Sequence, residues 1–451
     1  MLTATAIHHP KTYTYGQIWH IAYPILVSVL MEQLIGMTDT AFLGRVGEVE
    51  LGASALGGIF YIAVFMLGMG FGVGAQILMA RRNGEGNYRQ IGSIFYHSMG
   101  FLIGLAIVLF ALTHTFGPVV LDAIISSPAV AQAADDYLRW RVFGYFFAFV
   151  NVIFRAFYVA TTNTRTLTLN SVVMVLSNVV FNYALIFGKL GMPAMGIAGA
   201  AIGSVLAEGV STAFFIVHTR LRIDFAHYGL DAWPRFRPRL LGHVLGISVW
   251  TMIQNFLSLA TWFIFFLAVE HLGERSLATT NIIRNISSFT FMTVIALAST
   301  ASTLASNLMG AGDFDAIRPM LRRTVRLGFF ILVPLMALAA LFPSAVLGIF
   351  TNERALIEAG RWPMYVLFTS YVFTIPAQIY FHAVSGTGNT RTALVFELTA
   401  LTIYTVYVVV VIFYLRAPLS VCWVSEHVYA VFALLFSYVY LRRGNWQARK
   451  I

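Results

Sequence analysis

The sequence contains few charged residues. Lys, Arg, Asp and Glu together make up 11% of its 451 residues, whereas 59% of the residues are hydrophobic. A soluble domain carries about 25% charged residues, so this composition cannot provide a soluble surface. The hydrophobic residues occur in runs of about 20, which is the length that crosses a bilayer core. This pattern predicts a polytopic α-helical membrane protein, because a transmembrane β-barrel would show short segments of alternating hydrophobicity.

Cysteine is almost absent as well. The single cysteine, Cys422, excludes a disulfide framework and a cysteine-based metal site. The first residues lack the layout of a secretory signal peptide, because the first apolar run is too long and no small-residue cleavage site follows it. The connections between the apolar runs carry no Cys/His metal spacing, phosphate-binding loop or nucleophile motif. We therefore expect neither an enzyme nor a bound cofactor.

Twelve apolar segments are long enough to be membrane spans. The longest connections between them, residues 114–136 and 219–240, leave no room for a soluble domain. The predicted spans are residues 18–43, 52–80, 91–113, 137–161, 167–188, 196–218, 241–269, 276–308, 319–343, 358–384, 392–415 and 419–441.

Lys and Arg concentrate in the even-numbered connections. Five arginines lie between residues 220 and 239 in the sixth connection, whereas residues 114–136 contain no Lys or Arg. By the positive-inside rule, the even-numbered connections and both termini face the cytoplasm. The net charge of +10 is then explained by orientation and by contact with anionic lipid, and nucleic-acid binding is not expected. We predict a multi-pass monomer in the inner (cytoplasmic) membrane.

Three short motifs recur, and the members of each pair begin 226 residues apart. The pairs are GEGNYRQI at 84–91 with GAGDFDAI at 310–317, ATTNTRT at 160–166 with GTGNTRT at 386–392, and VGEVELGAS at 46–54 with LGERSLATT at 272–280. One match would be chance, but three matches at one offset equal to half the chain indicate a tandem duplication.

Each repeat contains six spans, so both repeats start on the same face of the membrane. Parallel repeats of this kind are related by an axis along the membrane normal, as in several transporters. We therefore predict an N-terminal lobe at 1–218, a cytoplasmic inter-lobe loop at 219–240 and a C-terminal lobe at 241–451. Two such lobes with a cleft between them suit alternating access.

Several motifs resemble those of the multidrug and toxic compound extrusion (MATE) family of cation-coupled antiporters. They are TDTAFLGRVG in the first span, the GEGNY and GAGDF loops, NVVFNYALIFG in the fifth span, GIAGAAIGSVLAE in the sixth, NTRT after the fourth and tenth, and the late RRGNW. The resemblance covers essentially the whole chain. It implies an all-α fold of twelve helices in two bundles, with export of cationic or amphipathic xenobiotics or metabolites in exchange for H⁺ or Na⁺.

The wider superfamily also contains flippases for lipid-linked glycans, which are the alternative function. A flippase would be expected to need many cationic residues in its cleft to hold a pyrophosphate, and few Arg or Lys lie inside the predicted spans.

The resemblance places a cation-coupling site in the N-terminal lobe. By motif, the coupling carboxylate of the family falls on Asp39, and the amides and hydroxyl around it fall on Asn178, Asn182 and Ser204. Many members carry an acid where this chain has Asn182, so one negative charge is missing. The oxygen atoms of these four residues would suit Na⁺, and a carboxylate equally suits H⁺, so the sequence leaves the coupling ion open.

Helix geometry supports one shared site for these residues. From the predicted ends of the spans, Asp39 lies roughly 7 Å, Asn182 about 9 Å and Ser204 about 12 Å below the outer side of the membrane. Glu208 lies one turn below Ser204 on the same face, and we predict that it replaces the charge lost at Asn182. Glu32 lies two turns from Asp39 on one face of the first span, and it completes the predicted coupling set.

The second repeat differs from the first. The equivalents of Asp39 and Glu32 at the 226-residue offset are Phe265 and Ser258, so the second half lacks both acids. Glu426 and His427 inside the twelfth span are a possible second polar cluster. The polar residues that we predict to line the substrate cleft are Gln254, Asn255, Gln378 and His382. Pro24, inside the first span, is interpreted as a gating bend, a static kink or a first-turn proline.

Overall fold

The apolar runs fold as helices, because a helix satisfies its own backbone hydrogen bonds where no water is present. The structure is a computed structural model that describes residues 12–125 and 127–448, and these residues form helices and connecting loops without a strand. The predicted all-α class is confirmed. The basic residues Arg449 and Lys450 lie outside the described part of the chain.

Seven helices form the first repeat. They are α1 (Tyr15–Leu43), α2 (Glu48–Gly84), α3 (Tyr88–Ile124), α4 (Pro128–Arg141), α5 (Gly144–Ala160), α6 (Arg165–Phe187) and α7 (Gly196–Arg222). The four-residue helix α8 (Phe225–Tyr228) follows in the sixth connection.

The second repeat has the same order of long helices with more interruptions. Its helices are α9 (Pro238–Glu270), α10 (Glu274–Ala311), α11 (Phe314–Leu341), α12 (Pro343–Gly348), α13 (Arg354–Gly386), α14 (Thr390–Val409), α15 (Leu419–Cys422) and α16 (Ser425–Arg443). A π-helical turn, Val410–Tyr414, extends α14, and a 3₁₀ turn, Trp446–Ala448, follows α16.

Twelve membrane spans fit these helices. Within residues 12–125 and 127–448, eleven helical segments are each long and apolar enough to cross a membrane, and α4 with α5, a pair bent by 52°, gives a twelfth if it forms one span. The prediction of a long connection at 114–136 is wrong, since α3 continues to Ile124 and α4 begins at Pro128. Exposed apolar side chains such as Phe116 and Val119 continue the helix past the end predicted from the sequence.

Pro24 is the tenth residue of the continuous helix α1, so the first-turn interpretation is wrong. Proline removes one backbone hydrogen bond inside a helix, here the one to the carbonyl oxygen of His20, and the carbonyl group of Pro24 itself makes a contact with a neighbouring helix. Thr168 of α6 donates to the carbonyl oxygen of Pro24 at 3.4 Å. A gating bend and a static kink remain the two interpretations.

The chain divides into two compact units. Unit 1 consists of Met1–Tyr23, Ala80–Asn87 and Ala260–Ile451, and unit 2 of Pro24–Met79 and Tyr88–Leu259. Unit 2 contains every residue of the predicted coupling set. The division into lobes at 1–218 and 241–451 stays a prediction.

Unit 1 contains a close crossing between the ends of α2 and α10. Gly84 lies against the backbone of Asn307, and Gly310 lies against the backbone of Arg81. These are equivalent pairs at the 226-residue offset, so the crossing has the symmetry of the duplication. The side chains of Asn83 and Asn307 add a hydrogen bond of 2.6 Å.

Candidate ion-coupling site

Three helices of unit 2 carry the predicted coupling residues. Asp39 lies near the end of α1, Asn178 and Asn182 lie one turn apart on α6, and Ser204 lies on α7. Helices α6 and α7 approach closely because α7 presents glycine to α6: a Cβ at Gly199 would overlap the backbone of Leu185. Small residues allow this kind of close packing between membrane helices.

The four side chains form one hydrogen-bond network. The amide nitrogen of Asn182 donates to Asp39 Oδ1 at 2.5 Å and to Asn178 Oδ1 at 3.2 Å. Ser204 Oγ donates to Asp39 Oδ2 at 3.2 Å, and the Asn178 amide donates to Ser204 Oγ at 3.2 Å. The structure thus brings Asp39, Asn178, Asn182 and Ser204 together, and both carboxylate oxygens of Asp39 accept a hydrogen bond.

One oxygen of this network has no partner. Asn178 and Asn182 are fully buried, and Ser204 is nearly so, whereas Asp39 is half-buried. The side-chain oxygen of Asn182 is buried and accepts no hydrogen bond within the described residues. An unsatisfied acceptor costs free energy in a buried site, so this oxygen marks a position where a ligand or a rearranged donor would be stabilised.

Glu208 is placed one turn below Ser204 on α7, as predicted, but its partner was not anticipated. Arg141, the last residue of α4, lies 2.6 Å from Glu208 Oε1 through Nη2 and 3.1 Å from Oε2 through Nη1. Both side chains are nearly buried, at 12% and 8% exposure. Glu208 therefore belongs to an ion pair beside the Asp39 network.

Glu32 likewise pairs with an arginine. Arg155 of α5 donates to Glu32 Oε1 at 2.7 Å, and the two side chains are 22% and 49% exposed. Sequence analysis missed both Arg141 and Arg155. A signal was present, because an ionisable residue inside an apolar span is a functional candidate, and Arg155 lies in the middle of the run NVIFRAFYVA.

The equivalent position in the second repeat is filled by apolar and aromatic side chains. Phe265, the equivalent of Asp39, is 1% exposed, and its ring lies 6.3 Å from that of Tyr404, the equivalent of Asn178. Val408, the equivalent of Asn182, is also buried. The duplicated scaffold thus carries a polar network in one repeat and a hydrophobic cluster in the other.

The second repeat has its own buried acid. Glu397 of α14 is 2% exposed and accepts a hydrogen bond of 2.8 Å from the hydroxyl group of Tyr429. Glu426 lies in the first turn of α16 beside His427, whose Nε2 lies 3.0 Å from Thr369 Oγ1. Whether Glu426 and His427 form a second site stays open.

The predicted cleft residues fall in different units. Gln254 and Asn255 are half-buried on α9 in unit 2. Gln378 and His382 lie on α13 in unit 1, where His382 Nδ1 is 2.9 Å from the backbone oxygen of Gln378. Their assignment to a substrate cleft stays a prediction.

The donor set fits a monovalent cation or a proton better than a transition metal. No group of three or more His, Cys, Asp or Glu side chains in the described chain could hold a metal ion. The network instead offers one carboxylate, two amide oxygens and one hydroxyl, which are ligands for hard cations.

Apolar helices that can form twelve spans, with a hydrogen-bonded carboxylate held by three helices of unit 2, are features of a multi-pass membrane transporter. A model of the MatE family matches the chain twice, at residues 24–184 and 251–411. The chain therefore belongs to the MatE family of membrane transporters, as its motifs predicted. The two matches begin 227 residues apart, within one residue of the offset of the motifs, which confirms the parallel internal repeat.

Relatives of known description agree with this assignment. A probable multidrug resistance protein NorM of Thermotoga maritima is 23% identical over 434 residues, covering 96% of this chain and 93% of the relative. The multidrug resistance protein NorM of Burkholderia vietnamiensis is 28% identical over 310 residues, covering 66% of this chain and 64% of the relative.

Solved structures show the same fold. An outward-facing multidrug resistance MATE family transporter of the MOP superfamily superposes with a TM-score of 0.85 at 16% identity, covering 97% of both chains. The eukaryotic MATE transporter AtDTX14 superposes with a TM-score of 0.83 at 17% identity, covering 96% of both chains. The predicted fold class of twelve helices in two bundles is confirmed.

Proposed function

We propose that this protein is an antiporter that exports cationic or amphipathic xenobiotics or metabolites in exchange for a coupling cation, by alternating access of two lobes. The observation that carries the proposal is the Asp39 network, a carboxylate held by Asn182 and Ser204 within three membrane helices. Relatives described as multidrug resistance proteins support the substrate class.

The orientation of the donors favours H⁺ as the coupling ion over Na⁺. Asn182 turns its amide nitrogen to Asp39, and Ser204 turns its hydroxyl proton to the same carboxylate. Na⁺ requires oxygen atoms around it, so the Asn182 amide would have to turn over and Ser204 would have to redirect its proton. A proton on Asp39 requires a smaller change, since only one of these donors has to move away.

The flippase alternative receives less support from the charges. Arg141 and Arg155 are cations inside the fourth span, but each is paired with a glutamate. A site for a lipid-linked pyrophosphate would need cations free to bind phosphate oxygens.

The decisive experiment is ethidium transport in proteoliposomes with a pH gradient and a Na⁺ gradient imposed separately. We expect the pH gradient alone to drive uptake, and Asp39→Asn to abolish it while the protein remains folded. Asp231→Asn is the matched control, because Asp231 lies in the sixth connection, away from the Asp39 network, and its ion pair with Arg89 is long, at 3.8 Å, and exposed. If Asp39→Asn takes up ethidium along the pH gradient at the wild-type rate, the coupling role of Asp39 is refuted. If only the Na⁺ gradient drives ethidium uptake by the wild type, H⁺ is refuted as the coupling ion.

We further propose that the protein is a monomer in the inner membrane, in contact with lipid, with both termini in the cytoplasm. The arginine-rich even-numbered connections support this orientation. Impermeant thiol labelling of single cysteines placed at Gly86 and Gly191 tests it, because these glycines lie in the second and fifth connections. Labelling from the periplasm is expected at position 191 only, and the reverse pattern would overturn the orientation.

A further inference from the structure

The ion pair between Arg141 and Glu208 is built into the fourth span. Two hydrogen bonds join the guanidinium group to both carboxylate oxygens, in the bidentate geometry that binds most strongly. Arg141 ends α4, immediately before the 52° bend into α5. The arginine is therefore fixed at the break in the span, where the bend brings it to α7.

Neighbouring residues hold the guanidinium group in place. It lies 3.8 Å above the ring centroid of Tyr61, a cation–π contact. The Tyr61 ring stacks in turn on Tyr145, with centroids 4.7 Å apart. Gly144 leaves the space for this arrangement, since a Cβ there would overlap Arg141 and stand 2.5 Å from Glu208 Oε2. The guanidinium group of Arg141 is therefore held between the Tyr61 ring and the Glu208 carboxylate, in space that Gly144 leaves open.

This ion pair lies one helical turn from the Asp39 network. Ser204 donates to Asp39 and Glu208 binds Arg141, and the two positions are four residues apart on one face of α7, about 5–6 Å between Cβ atoms. Arg141 also acts electrostatically on the Asp39 carboxylate. Two acids and one arginine thus share one region inside the membrane, which leaves a single net negative charge when all three are ionised.

A purely structural role explains this ion pair poorly. Two charges lose their hydration on burial, and replacing a buried ion pair by apolar residues is often neutral or stabilising. Ionisable residues within membrane spans are, for the same reason, functional candidates. Because Arg141 carries a charge and lies beside the proposed coupling site, we expect it to contribute to the charge balance of that site.

We propose that Arg141 sets the ion stoichiometry of the transporter: it neutralises Glu208, so that Asp39 alone carries the exchangeable charge and one cation is exchanged per cycle. Under this proposal Glu208 is a fixed partner of Arg141 rather than a replacement for the acid missing at Asn182. Arg141 is a positioning residue, since it acts on the coupling ion through Glu208. This inference rests on the proposed coupling role of Asp39.

The groups that could alter this balance are few and identified. Within the described residues, the titratable and charged groups that interact with Glu208 are Tyr61 of α2, Tyr137 and Arg141 of α4, and Tyr145 of α5. Asp39 of α1 interacts with Arg141 of the same ion pair.

Infrared difference spectroscopy of the purified protein between alkaline and acidic buffer tests the assignment with H⁺ as the probe. Protonation of a buried carboxylate produces a separate carbonyl band. The wild type is expected to show an Asp39 band that Asp39→Asn removes and that Arg141→Gln/Glu208→Gln, in which neither charge of the ion pair remains, retains. Arg141→Gln is expected to add a second band, because Glu208 loses its partner, and Arg141→Gln/Glu208→Gln is expected to remove that added band.

Transport stoichiometry gives the second readout. Reversal of ethidium flux in proteoliposomes is expected to report one proton per cycle for the wild type and for Arg141→Gln/Glu208→Gln, and a larger number for Arg141→Gln. The double variant buries no unpaired charge, so it remains informative if Arg141→Gln alone does not fold. A folded double variant that has lost coupling would overturn the proposal.

The two proposals fail in different ways. If Asp39→Asn keeps its carbonyl band and its coupling, the proposed function is wrong. If Asp39→Asn behaves as expected but Arg141→Gln adds no band, only the role of Arg141 is wrong.

Discussion

The side-chain oxygen of Asn182 lies directly against Gly203, where α6 crosses α7. A Cβ at Gly203 would overlap this oxygen, and the nitrogen of the same amide donates the 2.5 Å hydrogen bond to Asp39. The absence of a side chain on α7 therefore fixes the orientation of the amide that binds the carboxylate.

Gly203→Ala is expected to impair coupling without unfolding the protein. The added methyl group must displace the Asn182 amide from Asp39, and overpacking of this kind costs about 1–3 kcal/mol. Because the cost falls on the arrangement that binds the carboxylate, we expect ion-driven ethidium transport to fall by roughly 5- to 150-fold. Gly209→Ala on the same helix is the control, because its Cβ would stand at an ordinary 3.6 Å from the ring of Phe147. Equal activity of the two variants would contradict the role of the close approach.

A second prediction concerns the stability that the crossing of α2 and α10 provides. Gly84 and Gly310 each lie against backbone, which cannot move aside as a flexible side chain can. Gly84→Ala and Gly310→Ala should each destabilise the protein by about 1–3 kcal/mol and lower its melting temperature in detergent.

Gly104→Ala is the control for this crossing, since Gly104 is an exposed residue of α3 with no atom within 4 Å of its Cβ. Alanine at an open helix position is stabilising by up to about 1 kcal/mol. If all three variants melt at the same temperature, the crossing does not contribute to the stability of this fold.

A third prediction concerns the contribution of the Glu32–Arg155 ion pair to transport. Glu32 is 49% exposed, and ion pairs that remain accessible to solvent are worth about 0–1 kcal/mol. Glu32→Gln is therefore expected to reduce ethidium transport by less than about fivefold and to preserve its dependence on the pH gradient, in contrast to Asp39→Asn.

Glu32→Asp, which keeps the charge, serves as the companion variant. A complete loss of pH-driven transport in Glu32→Gln, with activity retained in Glu32→Asp, would place Glu32 in the coupling set predicted from the sequence. Partial loss in both variants would assign the pair to positioning of α1 against α5.

The features that repeat along the chain could be predicted from sequence. Hydrophobic runs define the spans because each helix must cross the same bilayer thickness, and the duplication leaves motifs at a constant offset. The group of Asp39, Asn178, Asn182 and Ser204 was also predictable. Motif resemblance identified these residues, and depth along a helix follows from residue number alone.

The partners of the acids depended on tertiary structure. Depth does not specify the rotation of a helix about its axis or the neighbour that it faces, so the pairing of Glu208 with Arg141 and of Glu32 with Arg155 was not predictable. The break between α4 and α5 is needed to bring Arg141 to α7. The length of α3 was also missed, because a helix can continue past the hydrocarbon core.

The sequence alone therefore determined the membrane class, the number of spans, the repeat and the position of the proposed coupling carboxylate, since each depends on local composition or on spacing along one helix. Only the tertiary structure decided which charges neutralise each other and which repeat keeps a polar centre. Asp39 accepts hydrogen bonds from two other helices, whereas its equivalent Phe265 packs against Tyr404 and Trp423. Such contacts join residues far apart in the chain, and they are set by how the helices cross.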